Sequence, residues 1–83
     1  MNLEFITNYI NKKIAEDDEY ICITFYELRV KNNLTEEETN LFLNFSKIRL
    51  ENMKYKVYFT GEEFFYKDSN RIVQPNELMI AVK

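Results

Sequence analysis

Three sets of side chains carry the chemistry open to this sequence. The first is acidic: Asp17-Asp18-Glu19, Glu36-Glu37-Glu38 and Glu62-Glu63. Carboxylates in runs can hold Mg²⁺ or Ca²⁺, but none of these has EF-hand spacing, and solvated charge accounts for them. The second is Cys22 alone. It sits in the apolar run Tyr20-Ile21-Cys22-Ile23, where a thiol serves as a small buried hydrophobe rather than a nucleophile. The third is amide and basic. Asn40, Asn44 and Lys47 stand at i, i+4 and i+7; Lys54 and Lys56 flank Tyr55; and Lys67, Ser69, Asn70 and Arg71 crowd one polar turn. Asn can read adenine bidentately and Lys can reach guanine or phosphate. Cations with small polar groups at a turn can grip phosphates or enter a minor groove. Residue chemistry alone also allows a solvated helix face, a solubilising rim and an ordinary loop tip for these three groups. Arg29 and Lys31 are lesser candidates of the same kind.

Composition removes most other functions. No histidine is present, so the commonest zinc ligand and acid/base residue is missing, and no metal site or cofactor is expected. One Gly and one Pro leave no glycine-rich phosphate cradle. A single domain of 83 residues offers little cleft in which two carboxylates could hold a sugar. No small-molecule ligand is expected, and no enzymatic activity. A lone cysteine forms no internal disulfide, the first 16 residues mix charge through their apolar positions, and no run reaches the ~18 apolar residues of a membrane span. A cytoplasmic protein is expected. Net charge is −3, unevenly spread: residues 1–45 carry nine acids and four bases, giving −5, and residues 46–83 carry five and seven, giving +2. A phosphate-bearing partner has to dock on the second half.

The elements follow from periodicity. Leu3, Ile6, Ile10 and Ile14 form the stripe of an amphipathic helix with Asn2 as its N-cap, ended by the acidic turn 17–19. Residues 20–25 read as a short strand. Thr24/Glu27 and Thr35/Glu38 both have capping-box spacing. They open a second helix over 25–31, ended by Asn32-Asn33, and a third over 36–53 whose apolar set is Leu41, Phe42, Phe45, Ile48, Leu50 and Met53. Leu34, in the four-residue turn between them, plugs into the core. After Lys54 the period changes to two: Tyr55, Val57 and Phe59 alternate with polar positions, and Leu78, Ile80 and Val82 repeat the pattern after breaks at 67–71 and 74–77.

Helix, strand, helix, turn, helix and long hairpin in this order resemble a winged helix-turn-helix domain over essentially the whole chain, residues 1–83. The resemblance implies an α+β fold of three helices and a small antiparallel three-stranded sheet, with the third helix as recognition helix and the hairpin as wing. It implies sequence-directed binding of double-stranded DNA, as a homodimer on half-sites about one helical turn apart. Size and economy suit a small regulator or an accessory factor of a phage, plasmid or mobile element. The DNA contacts it implies are Asn40, Asn44, Lys47, Lys54, Lys56, Lys67, Ser69, Asn70 and Arg71. Glu36, Glu37 and Glu38 depart from the pattern, because they repel phosphates at the start of the helix that would enter the groove. The dimer is expected to use the first helix, through Phe5 and Tyr9, or exposed wing aromatics such as Tyr58 and Tyr66. An alternative reading is an acidic protein-binding module or inhibitor whose front half mimics nucleic acid.

Overall fold

The computed structural model describes residues 1–60 and 78–83. Helix α1, Leu3–Glu16, begins where the Asn2 side chain accepts from the Phe5 amide at 2.9 Å. Asp17 ends it and then accepts from the amides of Glu19 and Tyr20, which turns the chain into strand β1, Tyr20–Thr24. Helical backbone resumes at residue 25, and its last five residues, Glu27–Lys31, wind as a π-helix that closes with the Asn32 amide on the Glu27 carbonyl at 3.0 Å. The longest helix, α2, covers Glu36–Asn52. Strands β2, Lys56–Phe59, and β3, Leu78–Val82, complete the described chain.

The sheet order is β1-β3-β2, antiparallel throughout, so the last strand is the central one. Its pairing sets Ile21, Ala81 and Val57 in one cross-strand row and Ile23, Met79 and Phe59 in the next, and all six are buried. These rows face the three helices. Alternation puts Cys22, Ile80 and Tyr58 on the opposite face, where Cys22 is half-buried rather than enclosed. Burial pushes its thiol pKa up, and the Glu27 carboxylate adds to this. The thiol therefore stays protonated and weakly nucleophilic.

Both expected caps form. Thr35 and Glu38 exchange side-chain-to-amide hydrogen bonds at 3.1 and 2.9 Å, and the Thr35 amide holds the Glu38 carboxyl below the usual carboxylate range. Asn33 adopts the left-handed region at φ 56°, which asparagine tolerates, and Leu34 behind it is buried. Arg29 braces the turn: its Nε donates to the Leu34 carbonyl at 3.0 Å, and its guanidinium lies over the Phe25 ring.

The end of α2 carries backbone strain. The Tyr55 amide bonds to the Leu50 carbonyl and the Lys54 amide to the Glu51 carbonyl, a Schellman closure that needs a left-handed residue at Lys54, φ 74°. Glycine is the usual occupant because a Cβ costs about 1–2 kcal/mol there. Lys54→Gly is expected to raise the unfolding free energy by about 0.5–1 kcal/mol after its greater unfolded-state entropy is deducted. Lys54→Ala, which keeps the Cβ, is expected to give no gain. Urea denaturation of the three proteins measures the difference.

Candidate nucleic-acid interface

The inward face of α2 differs from the apolar set expected. Buried there are Thr39, Phe42, Leu43, Ser46 and Leu50, at i, i+3, i+4, i+7 and i+11. Phe42 packs edge-on against Phe5 and Tyr9 of α1, with ring centroids 6.0 and 5.3 Å apart. Two small polar residues at buried positions shift the inward stripe away from Leu41 and Ile48, which stand 59% and 58% exposed. Met53 is exposed as well, and Phe45 half-buried. The surface of α2 farthest from the core is therefore apolar along its middle and acidic at its start.

Asn40, Asn44 and Lys47 share one flank of α2, as their spacing requires, but they do not form the face opposite the core. The correction follows from the shifted stripe: all three are half-buried. The Asn40 Oδ1 atom is buried with no hydrogen-bond partner among the described residues. Asn44 Nδ2 donates to the Asn40 carbonyl at 2.8 Å. Lys47 Nζ pairs with Glu51 at 3.0 Å. The Lys47 side chain is largely buried, while Glu51 is open to solvent. Beyond the C-terminal end of α2, Lys54 and Lys56 are exposed. The last carbonyls of a helix favour cations at this position. Lys67, Ser69, Asn70 and Arg71 lie outside the described residues, as does Tyr66.

Sequence reasoning missed a second cluster, on the other side of the fold. Glu27 accepts from the Tyr9 hydroxyl, from the Thr24 amide at 2.6 Å and from Lys13 Nζ at 3.0 Å. Lys13 also reaches the Cys22 carbonyl at 3.1 Å, and Asn32 Nδ2 bonds to the Glu27 carbonyl at 2.7 Å. The cluster joins α1, β1 and the π-helix beside a hollow of about 340 Å³. Burial opposes the Glu27 carboxylate, but its hydrogen bonds from Tyr9, Thr24 and Lys13 together outweigh burial and hold its pKa below the usual value. Burial first, and Glu27 second, push the Tyr9 phenol well above its ordinary value. Neither group exchanges a proton near neutral pH, which leaves general acid/base work without a carrier here. The cluster is a latch between helices. Phe5 and Tyr9, expected at a dimer surface, are half-buried against Phe42, and Tyr9 also bonds Glu27.

Among the described residues, no group of three or more Cys, Asp or Glu side chains could hold a metal ion. Among those residues, too, no helix is long and apolar enough to cross a membrane. Comparison with protein-family models, curated proteins and solved structures finds no match to this chain.

Proposed function

We propose that the chain is a winged helix-turn-helix domain that binds double-stranded DNA, acts without enzymatic activity, and works in the cytoplasm as a small regulator or accessory factor. The observation that carries this reading is topological. Strand β3 lies between β1 and β2, and α2 leaves a four-residue turn with its outward face uncovered, which is the arrangement a winged helix offers to a groove. DNA meets the later half of α2 and the segment C-terminal to it. Asn44 reads a base edge, Lys47 exchanges Glu51 for a phosphate, and Ile48 meets a thymine methyl group. Lys54, Lys56 and the cations Lys67 and Arg71 expected at the wing hold the backbone, and Asn40, Ser69 and Asn70 add polar contacts. The acidic first turn of α2 stays back from the groove floor.

The test is a mobility shift with a library of duplexes at low and physiological salt. Binding is expected, with a log-log salt slope reflecting about three to five phosphates at roughly −0.9 each. Asn44→Ala is expected to cost about 1–3 kcal/mol on the preferred site and little elsewhere. Absence of a shift at low salt overturns the reading and favours the acidic protein-binding module.

A further inference from the structure

We propose that α2 pairs with α2 of a second copy of this chain, antiparallel, across its outward apolar stripe. Both halves of a self-complementary contact lie on this one helix. Phe45, Ile48, Arg49 and Asn52 stand at i, i+3, i+4 and i+7, the diamond that makes a hole on a helix surface. With Met53 they line a hollow of about 340 Å³. Two turns nearer the N-terminus Leu41 projects, more than half exposed, with the bulk to fill such a hole. A two-fold axis perpendicular to α2, passing near residues 44 and 45, sets each Leu41 over the hole of the other copy. A parallel pair would set Leu41 against Leu41 and leave both holes empty.

Charge selects the same orientation. Helix α2 opens on Glu36, Glu37 and Glu38, while Arg49, Lys54 and Lys56 stand in or beyond its last turn and outnumber the one acid there, Glu51, which Lys47 already pairs at 3.0 Å. Antiparallel pairing places the acidic first turn of one copy opposite Lys54 of the other and sets the helix dipoles head to tail. Arg49 takes part in none of the ion pairs among the described residues, and its Nε atom is buried without a hydrogen-bond partner among them. In the pair it lies beside the incoming Leu41, one turn from the second copy's Glu38.

The pairing covers the face of α2 that the DNA reading presents to a groove. Self-association and DNA binding therefore compete, and the paired form is the DNA-free one. A 17-residue helix spans only about 25 Å, so the interface is small and its dissociation constant is expected in the range of roughly tens of micromolar.

Sedimentation equilibrium of the full chain without DNA, from about 1 μM to about 1 mM, tests this. The mass is expected to rise from 10.1 kDa toward twice that value. Leu41→Ser is expected to weaken association about tenfold or more while leaving the unfolding midpoint unchanged, since the residue is mostly outside the core. Glu37→Lys and Lys54→Glu should each weaken it, and the two combined in one chain should restore it. A 10.1 kDa species at the highest concentration overturns the proposal, as does Leu41→Ser protein that associates as tightly as the parent. The experiment contains no DNA, so its failure leaves the DNA reading standing, and a chain that binds no DNA can still pass it.

Discussion

Glu27→Ala is expected to lower the unfolding free energy by about 2–3 kcal/mol and the thermal midpoint by roughly 10–20 °C. The substitution strands three groups at once: the Lys13 ammonium, the Tyr9 hydroxyl and the Thr24 amide. Removing one partner from a fully buried ion pair costs about 3–5 kcal/mol. The Glu27 and Lys13 side chains retain 15% and 24% of their exposure, so water recovers part of that cost and the lower figure applies. A domain of 83 residues has only about 4–12 kcal/mol of stability in total, so the loss is a large share.

The same latch sets the pH limits of the fold. The folded Glu27 pKa lies below its ordinary value of 4.5, so its contribution is present above that pH and is lost as pH falls through the lowered value. Tyr9 has a raised pKa in the folded state. Its contribution is complete below its ordinary value of 10.0 and is lost as pH rises beyond it. Urea melts across pH should therefore show an alkaline loss in the parent that Tyr9→Phe removes. Glu27→Ala should lack the acid-side loss that belongs to Glu27. Identical pH profiles for parent and both variants would show that the cluster contributes nothing, and the latch would be refuted.

What the sequence disclosed was local. Asn2, the Thr24/Glu27 and Thr35/Glu38 boxes and Asn33 act within three or four residues of themselves, so spacing and residue type suffice to place them. Strand alternation at Val57 and Phe59 is as plain, because Lys56 marks the outward phase. In Leu78–Val82 every position is apolar, so the set 78-80-82 is expected to repeat the inward pattern, whereas Met79 and Ala81 are the buried ones. The face of α2 was not legible. The helix carries two stripes of the same period, 39-42-43-46-50 and 41-45-48-52, each with three apolar residues. The expected set mixes them, taking Phe42 and Leu50 from the first and Leu41, Phe45 and Ile48 from the second. Which stripe turns inward is decided by what lies beneath it: Phe5 and Tyr9 take Phe42, and Thr39 and Ser46 are buried beside it. Nor could spacing reveal that Glu27, read as a cap, also binds Tyr9 and Lys13, which are 18 and 14 residues away and arrive only through the packing of α1.

Replacing Lys54, Lys56, Lys67 and Arg71 together with alanine is expected to abolish DNA binding at physiological salt while leaving the fold intact. Each phosphate no longer neutralised takes about 0.9 from the salt slope, so four substitutions consume nearly all of the three to five phosphates that the proposed mode engages. They also move the net charge from −3 to −7, which adds long-range repulsion to the missing ion pairs. Lys54 and Lys56 are exposed, and alanine at Lys54 preserves the left-handed geometry already tolerated there with a Cβ, so unfolding curves should change little. The opposite substitution supplies the control. Glu37 lies in the exposed acidic first turn of α2, where any approach to a phosphate costs Coulomb energy, so Glu37→Gln should leave DNA affinity unchanged or tighten it. Anisotropy titrations of both variants against preferred and random duplexes separate the cases. If Glu37→Gln erases site preference while the fourfold variant binds like the parent, the start of α2 is the reader, and the cations beyond its end are only a solubilising rim.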